Sequence, residues 1–432
     1  MSVLTAPDPG GLVGDVTPTV QSRISWKAPV AYTVLGVLSL LCFGLFTSGS
    51  AESTFVVSTS TDLIQISPIT VPSRLSAIVL SLVALALAAY SFVRTRARQK
   101  VGAWVPVVFG LAVVLAFLVW ADAGKENPIT LTSLLVSGLV LSIPLVFGSM
   151  AGLLCERSGI INIAIEGQLL AGAFLAAMVA TIAGSAYAGL VAAPIAGALV
   201  AVLLAFFAIK YRVNQIIVGV VLNGLVIGLT GFLFSAVLSK DIGGLNSPPR
   251  LPVLPIPLLS EIPIVGPVLF RQSLLVYLMF ATVIALQILL FRSRWGLRMR
   301  SVGEHPKAAD TVGINVNRTR WRNTILGGAV AGLGGAAFTV ALGLAFNKEM
   351  TGGKGYIALA AMILGRWNPR GALAAAVLFG FADSLRVGLS LVGTAVPSQF
   401  LAMLPYLATI FAVAGLVGRV RPPAAEGVPY EK

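Results

Sequence analysis

Long runs of apolar residues constrain this chain more than any other feature of its sequence. Hydrophobic residues make up 57% of its 432 residues and charged residues only 11%, and the mean hydropathy is +0.93. A helix needs about 20 apolar residues to cross a bilayer. The predicted spans, about twelve in all, are 28–46, 71–93, 101–120, 131–155, 160–182, 187–209, 216–238, 273–291, 323–345, 356–365, 372–392 and 400–417. The sequence therefore predicts an all-α polytopic membrane protein.

The lysines and arginines are distributed unevenly among the loops between these spans. If the N terminus is placed in the cytoplasm, most of the 30 basic residues fall in loops on the cytoplasmic side. Because Lys and Arg are retained on that side during insertion, we expect both termini to be cytoplasmic. The net charge of +14 then reflects topology within a lipid bilayer, and no nucleic-acid partner is expected.

Changes in composition along the chain predict four parts. Residues 1–26 contain Gly, Pro, Ser, Thr and Asp without periodicity, which predicts a disordered cytoplasmic tail. Residues 27–120 hold the first three spans, which are predicted to be extra N-terminal transmembrane helices. Residues 121–420 form the main body, and residues 421–432 form a second cytoplasmic tail. Within the main body, the proline-rich external loop 239–272 is either an ordered cap or a passive connector.

The segment 292–322 is the longest strongly charged stretch between apolar runs and is predicted to be a cytoplasmic loop. Pro306 precedes the helix-forming residues 307–310, which predicts a short helix that ends near Gly313. A short helix with basic flanks suits docking against a soluble partner. Alternatively, the loop is solvated and its arginines only fix the topology.

Two predicted spans are interrupted by polar or glycine-rich sequence. Residues 158–168, which enter from the cytoplasmic side, contain Asn162, Glu166 and Gln168. Residues 349–356 lead from the outside into a span of only about ten apolar residues. Paired short or broken segments that enter from opposite faces are typical of inverted structural repeats, and the substrate route tends to lie between them. The sequence therefore predicts a core with inverted repeats and broken helices.

Five polar residues are candidates for a substrate pathway. A carboxylate is costly in hydrocarbon, so Glu166 should face protein or a water-filled cavity. Asn162 lies four residues before it, on the same helical face. The residues that we expect to border a central cavity are Asn162, Glu166, Gln168, Asn223 and Tyr356. Hydrogen bonds between helices, without any ligand contact, are the alternative for these groups.

The sequence offers no catalytic or metal-binding constellation. It has no Gly-x-x-x-x-Gly-Lys-[Ser/Thr] motif to cradle phosphate, so any ATP would be hydrolysed by a partner subunit. The two cysteines, Cys42 and Cys155, and the single histidine, His305, lack metal-ligand spacing. We therefore expect neither enzyme activity nor a cofactor or metal bound by this chain.

Three stretches resemble one family of membrane proteins. They are GLRMRSVGEHPKAADTVGI at 296–314, ERSGIINIAIEG at 156–167 and GYIALAAMILGRWNPRGA at 355–372. All three are similar to the inner-membrane permeases of ABC importers for simple sugars, nucleosides and branched-chain amino acids. Together they resemble the nucleoside branch most, over about residues 131–420. Residues 121–420 are therefore interpreted as a permease core.

The resemblance implies an ATP-driven importer with several subunits. Two permeases pair across a prokaryotic cell (inner) membrane, and each places its loop 292–322 on a cytoplasmic ABC ATPase. An extracytoplasmic binding protein delivers the substrate. In this branch the two permeases are often different but related, so a heterodimer is expected and a homodimer is the alternative. The residues that we expect to contact the ATPase are Gly303, Glu304, Pro306, Ala309 and Asp310.

A nucleoside is the substrate that the resemblance favours, with a simple sugar such as ribose as the alternative. Few charged residues lie within the spans, chiefly Glu166, Asp383 and Arg386, and the last two are close enough to neutralise each other. A neutral polar solute therefore fits better than an amino acid. A self-contained secondary transporter is a further alternative, but it would need acidic residues for ion coupling, and the spans contain few.

Overall fold

The computed structural model describes residues 25–58, 62–102, 104–125, 128–392, 399–400, 403 and 421–432. Ten helices within these residues are long and apolar enough to cross a membrane. They are Lys27–Leu45, Ser73–Arg96, Trp104–Asp122, Leu131–Glu156, Ile165–Ile182, Ala186–Lys210, Gln215–Lys240, Leu274–Arg292, Val316–Ala341 and Pro369–Ser390. The prediction of an all-α polytopic membrane protein is confirmed.

Two of the predicted spans have no counterpart among these ten helices. The predicted span 356–365 is an apolar helix of 11 residues, Lys354–Leu364. At about 16 Å it covers about half of the hydrocarbon core, because that core is roughly 30 Å thick. The predicted span 400–417 lies almost entirely outside the described residues. The cytoplasmic location of both termini stays a prediction.

Among the described residues, 25–47, 74–102 and 104–117 form one compact unit. The predicted disordered tail 1–26 lies almost entirely outside the described residues, and the predicted boundary near residue 120 stays a prediction. A core of small and aromatic side chains holds this unit together, with Ala84 and Ala112 buried around Phe109. This unit contains α1 (Lys27–Ser39) and most of α2 (Ser73–Arg96) and α3 (Trp104–Asp122). Helix α1 continues as a π-helical turn over Leu40–Leu45.

The described residues within 48–73 and 118–432 form the second compact unit, which contains a small sheet that the apolar pattern does not predict. Its strands are β1 (Glu52–Val56), β2 (Ile69–Pro72) and β3 (Ile129–Thr130). The central strand β1 is antiparallel to β2 and parallel to β3. The strands fall outside or at the very edge of the predicted spans, so apolar run length carries no signal for them.

The second unit contains eleven helices among the residues that the structure describes. They are α4 (Leu131–Glu156), α5 (Ile165–Ile182), α6 (Ala186–Ala205), α7 (Gln215–Ala236), α8 (Ile242–Leu245), α9 (Leu274–Arg292), α10 (Arg294–Glu304), α11 (Pro306–Thr311), α12 (Val316–Ala336), α13 (Lys354–Leu364) and α14 (Pro369–Val392). Helices α6 and α12 continue as π-helical turns over Phe206–Lys210 and Ala337–Ala341.

Helices α5, α6 and α12 approach one another through glycine. A Cβ at Gly172 would lie 2.2 Å from the carbonyl oxygen of Gly332, and one at Gly197 would lie 2.1 Å from that of Gly328. No side chain fits at these crossings, so the backbones themselves are in contact. This close packing fixes the position of α5, whose first turn carries part of the candidate site.

The proline-rich loop 239–272, whose external location stays a prediction, contains regular structure. It contains α8, and its short strand β4 (Val253–Pro255) pairs antiparallel with β5 (Arg271–Ser273). Asn246 anchors the loop, because its side chain donates to the carbonyl oxygen of Phe346 and accepts from the same residue's N–H, at 3.0 and 2.7 Å.

Candidate functional site

The two interrupted segments of the sequence meet directly in the structure. Helix α4 ends at Glu156, a non-helical stretch follows, and α5 begins only at Ile165. On the other side, Gly353 caps α13 in the left-handed conformation, with φ of 80°. The first turns of α5 and α13 therefore face the same point, and the partial positive charges of two helix N termini converge there.

The carboxylate of Glu166 occupies this point. Its Oε1 accepts hydrogen bonds from the Thr351 hydroxyl at 2.6 Å and the Gly353 N–H at 2.8 Å, and its Oε2 accepts one from the Gly355 N–H at 2.6 Å. A Cβ at Gly355 would lie only 2.4 Å from the Glu166 nitrogen, so a glycine is needed for this approach. Three donors and two helix N termini thus stabilise the buried carboxylate without a cation at hydrogen-bonding distance.

Asn223 of α7 ties the same region to a third helix. Its Oδ1 accepts from the Gly167 N–H at 2.8 Å. Its Nδ2 donates to the Ile163 carbonyl at 2.9 Å and to the Tyr356 hydroxyl at 3.1 Å. The side chain of Asn223 therefore joins α7, the start of α5 and the start of α13.

Asn162 and Gln168 form a reciprocal amide pair beneath this contact. The Nδ2 of Asn162 donates to the Oε1 of Gln168 at 3.0 Å, and the Nε2 of Gln168 donates to the Oδ1 of Asn162 at 3.3 Å. Both side chains are fully buried. Asn162 also lies 3.5 Å from the sulfur of Cys155.

The structure thus brings all five predicted pathway residues into one region, which we call the polar junction: Asn162, Glu166, Gln168, Asn223 and Tyr356. Four of them are buried, and only Tyr356, which is 48% exposed, presents a surface. Their hydrogen bonds go to one another, to the backbone, to the Thr351 hydroxyl and to the sulfur of Cys155. Glu166 and Asn223 each connect one helix to another, as the alternative to a pathway role describes. Asn162 lies in the non-helical stretch before α5, so the prediction that it shares a helical face with Glu166 is wrong. Whether the junction also borders a substrate pathway stays a prediction.

Sequence reasoning missed two participants in this region. Thr351 is buried and donates to Glu166. Lys354, which the predicted topology placed in an external loop, begins α13 and forms a partly buried ion pair with Asp383 of α14. Arg386, the partner expected for Asp383, is farther away, with its Nε 3.9 Å from the carboxylate. The short apolar run after Lys354 could have indicated this position. A helix too short to cross the membrane has its N terminus inside the protein, so Lys354 at that N terminus should be inside as well.

A cavity of about 490 Å³ lies elsewhere in the second unit, between α4 and α14. Its walls are mostly apolar, with Ser133, Ser137 and Ser384 among the polar residues and Arg250 at its lining. None of the polar junction residues lines it. Among the residues that the structure describes, no group of three or more His, Cys, Asp or Glu side chains could hold a metal ion.

The charged segment 292–322 is largely helical. The predicted short helix is α11 (Pro306–Thr311), which ends before Gly313, a residue with φ of 82°. His305 caps this helix, because its Nδ1 accepts from the Ala308 N–H at 3.2 Å. Helix α10 was not predicted; it forms because its apolar residues Met299 and Val302 recur at helical spacing and are buried.

The five residues expected to contact an ATPase lie on or between α10 and α11, but they are not equally accessible. Glu304 is exposed, and Pro306 and Asp310 are half-buried. Gly303 and Ala309 are buried. A Cβ at Gly303 would lie 2.3 Å from the Arg157 carbonyl oxygen, so this glycine is needed where α10 packs on the end of α4.

The C-terminal residues 421–432 pack against the same loop. The Ala425 N–H donates to the Gly303 carbonyl at 2.9 Å, and the Ala424 N–H donates to the Glu304 carboxylate at 3.2 Å. The buried side chain of Tyr430 packs against Val302, Ala309 and Val316, and its hydroxyl is hydrogen-bonded to Asp310. The segment predicted to be a simple tail is therefore a structural part of the loop region.

Burial shifts the pKa values of two ionisable groups near this contact, Arg157 and Glu426. Burial lowers the pKa of the Arg157 guanidinium, and the nearby Glu304 carboxylate acts in the opposite direction. Arg157 also donates to the Trp367 carbonyl at 2.8 Å. Burial raises the pKa of Glu426, and a hydrogen bond from Glu156 partly offsets this effect. The Trp367 indole N–H donates to the Oε2 of Glu156 at 2.6 Å.

A bundle of membrane-length helices, a junction between two broken segments and a helical basic loop together define a polytopic membrane transport subunit. Residues 134–417 match the family described as branched-chain amino acid transport system / permease component. The chain belongs to this family of permeases. No solved structure matches the chain.

Three relatives illustrate the family. The chain is 39% identical over 306 residues to a guanosine ABC transporter permease protein of Bacillus subtilis, covering 68% of this chain and 95% of that protein. It is 38% identical over 312 residues to a nucleoside ABC transporter permease protein of Lactococcus lactis, covering 70% and 98%. It is 33% identical over 288 residues to a putative glucose ABC transporter permease protein of Haloferax volcanii, covering 62% and 86%. The chain is therefore an ABC transporter permease.

Proposed function

We propose that this chain imports nucleosides across a prokaryotic cell membrane as a permease subunit of an ATP-driven importer. The observation that carries the proposal is its identity of 39% and 38% to permeases named for guanosine and for nucleosides, over 95% and 98% of their lengths. ATP is hydrolysed by a cytoplasmic ABC ATPase, and an extracytoplasmic binding protein delivers the substrate. The chain itself carries out no catalysis.

The charges near the polar junction support a neutral substrate. The Glu166 carboxylate is taken up by three donors of the chain, and Asp383 is paired with Lys354. These groups are not available as a pair of opposite charges for the ammonium and carboxylate of an amino acid. A nucleoside or sugar needs only hydrogen bonds and an apolar or aromatic surface, and Tyr356 offers both.

Within the polar junction, we place Tyr356 at the pathway and the four buried residues behind it. The exposed ring of Tyr356 can stack against a base, while Asn223 holds its hydroxyl. Cysteine at Tyr356 should therefore react with small polar thiol reagents. Cysteine at Asn162 or Gln168 should react only if another transport state opens the junction, because both side chains are fully buried. Inertness at all five junction positions in every state would contradict this placement.

In the loop, we propose that Glu304, Pro306 and Asp310 contact the ATPase, whereas Gly303 and Ala309 shape the surface from within. Glu304→Arg should uncouple ATP hydrolysis from uptake, because it reverses the charge of an exposed side chain beside α11. Membrane insertion should be unchanged. Arg370→Glu, which reverses an exposed charge outside this loop, is the control. Normal transport by Glu304→Arg would show that the coupling assignment is wrong.

We further propose that the chain pairs with a second, related permease, as the family resemblance implies. Co-expression of this chain, carrying two different tags, with a second permease of the same family that carries a third tag tests the pairing. Recovery of mixed pairs supports a heterodimer, and recovery of this chain with itself alone supports a homodimer.

Uptake of labelled substrates tests the proposed substrate. Cells with and without this chain are compared for labelled guanosine, ribose and glucose, because one of the relatives is named for glucose. Loss of guanosine uptake alone is the expected result. Loss of ribose or glucose uptake alone would overturn the nucleoside proposal and leave the membership in the permease family intact.

A further inference from the structure

A cleft of about 860 Å³ lies between α10 and the start of α12. Its lining includes two arginines from each of these helices and no acidic residue: Arg294, Arg298, Arg318 and Arg322. Within the part of the chain that the structure describes, none of these four guanidinium groups forms a salt bridge. We call this feature the arginine cleft. Four unpaired guanidinium groups around one cavity favour binding of an anion, and guanidinium is well suited to phosphate oxygens.

The arginine cleft also contains a buried amide without a partner. Asn323 lines the cleft and is fully buried. Neither its Nδ2 nor its Oδ1 has a hydrogen-bond partner among the described residues. Buried polar groups are rarely left unpaired because their desolvation is costly. A ligand that fills the cleft would supply the missing partners if it carries both acceptor and donor groups.

Apolar side chains at the same cleft indicate where the anion comes from. Leu297 and Val312 line the cleft and are 62% and 75% exposed. Trp295, a half-buried aromatic residue of α10, also lines it. A free phosphate ion would leave these side chains in water. A lipid would cover them with its glycerol and upper acyl region, and aromatic and basic residues are typical of the membrane interface.

We propose that the arginine cleft binds the head group of an anionic phospholipid of the phosphatidylglycerol type. The phosphodiester meets the guanidinium groups, and the hydroxyls of the glycerol head group and the phosphate oxygens satisfy Asn323. The bound lipid would bridge α10 and α12, so it would hold the loop 292–322 against the membrane surface. The proposal does not depend on the substrate of the transporter.

The test uses the purified full-length chain in nanodiscs that contain either phosphatidylglycerol or phosphatidylcholine, followed by native mass spectrometry of the lipids it retains. Arg318→Gln/Arg322→Gln removes two charges from the cleft. Arg96→Gln/Arg98→Gln removes two exposed charges elsewhere and is the matched control. We expect wild type and the control to retain phosphatidylglycerol, and the cleft variant to bind it at least about tenfold more weakly, as the loss of charge-assisted hydrogen bonds predicts.

A second variant separates binding from folding. Asn323→Leu replaces an unpaired buried amide with an apolar side chain of similar size, so it should raise the thermal stability of the lipid-free protein. It should nevertheless weaken retention of phosphatidylglycerol, because the partner of the head group is lost. A merely structural role for Asn323 would move both measurements in the same direction, which would overturn its assignment to the site.

Three outcomes would overturn the proposal as a whole. Equal retention of phosphatidylglycerol by wild type, control and cleft variant would place the lipid elsewhere. Displacement of all cleft-dependent binding by inorganic phosphate, with no preference between the two kinds of nanodisc, would assign the cleft to a soluble anion. Loss of ATPase association in the cleft variant, without any lipid retention by wild type, would assign the arginines to an acidic surface of the ATPase.

Discussion

The polar junction and the arginine cleft hold their polar groups in opposite ways. In the polar junction, Glu166 and Asn223 find their partners in the chain itself, at distances of 2.6 to 3.1 Å. In the arginine cleft, the guanidinium groups have no ion pair and Asn323 has no hydrogen bond within the described residues. The first region is complete without a ligand, whereas the second is not.

Because of this difference, the polar junction should contribute to folding stability, and the arginine cleft should contribute to binding of a partner. A satisfied buried network fixes the geometry of the helices that contribute to it, and breaking it is costly. A cluster of polar groups without partners contributes little to folding stability by itself, and it becomes stabilising only when a ligand or another protein supplies the partners. Substitutions in the junction should therefore act on the fold, and substitutions around the loop should act on contacts with something else.

The largest expected effect comes from Glu166→Leu. The substitution leaves the Thr351 hydroxyl and the N–H groups of Gly353 and Gly355 buried without an acceptor. Each such donor costs about 1–3 kcal/mol, so the free energy of unfolding should fall by about 3 kcal/mol or more. Thermal and denaturant unfolding in detergent measures the loss.

The control for this variant is Gln287→Leu. The Oε1 of Gln287 is buried and has no hydrogen-bond partner among the described residues, so its removal should be neutral or stabilising. If Glu166→Leu is no less stable than Gln287→Leu, the carboxylate does not hold the junction together, and the contrast with the cleft disappears.

The ion pair beside the junction sharpens the comparison. Lys354→Met leaves Asp383 with only Arg386 at 3.9 Å, and should cost about 2–3 kcal/mol, below the usual loss for a fully buried pair. The double variant Lys354→Met/Asp383→Leu should recover part of that loss, since it leaves no buried charge unpaired. Unfolding of the two single variants and the double variant gives the coupling energy. A coupling energy near zero would mean that water, not the partner, stabilises each charge.

On the loop side, Tyr430→Ala tests whether the C-terminal segment holds α10 and α11. Its buried side chain packs against Val302, Ala309 and Val316, so its loss should weaken this contact by about 2 kcal/mol. Hydrogen exchange within residues 302–316 should become faster. The matched control is Val428→Ala, because the Val428 side chain is 52% exposed. Equal rates of hydrogen exchange within residues 302–316 in both variants would show that the C-terminal segment contacts α10 and α11 without stabilising them.

The sequence predicted the parts of this fold that depend on the length of apolar runs and on the polar or glycine-rich residues that interrupt them. Apolar runs predicted the long helices. The short run 356–365 was counted as a span, whereas the structure has an 11-residue helix there that is too short to cross the membrane alone. The grouping of Asn162, Glu166 and Asn223 followed from the cost of polar groups in hydrocarbon, since such groups must find each other or water.

Other features depend on tertiary contacts that no local pattern contains. The position of the C-terminal segment 421–432 depends on contacts such as that between Tyr430 and Ala309, which are more than a hundred positions apart in the chain. Arg386 was expected beside Asp383 from its place in the sequence, and its Nε does lie 3.9 Å from the carboxylate. Lys354, which is nearer in space, was missed because it lies on another helix. Strand β1 pairs with β2 and β3 across long separations, so no apolar run marks it.

A smaller, pH-dependent effect is expected at Glu426. Its raised folded pKa means that the folded state binds more protons than the unfolded state between the ordinary value of 4.5 and the folded value. The contribution of Glu426 to stability is therefore fully present below pH 4.5 and is lost as pH rises through the folded pKa. Protease protection of residues 421–432 should fall with rising pH in wild type, and Glu426→Gln should flatten this dependence. The same pH dependence in Glu426→Gln would assign it to another group.

Tyr356→Phe is expected to have the smallest effect on stability, and it asks whether the junction also touches substrate. The variant removes one acceptor of Asn223, whose Nδ2 keeps its bond to the Ile163 carbonyl, so the free energy of unfolding should fall by only about 0.5–1 kcal/mol. If the exposed hydroxyl also meets the passing nucleoside, the KM for uptake should rise about twofold or more, because the substrate loses a hydrogen bond worth at least about 0.5 kcal/mol. Tyr187→Phe, in which the altered ring is 44% exposed at the start of α6, is the control and should leave KM unchanged. An unchanged KM in Tyr356→Phe, with the small loss of stability present, would confine the junction to holding the helices together and would move the substrate contact elsewhere.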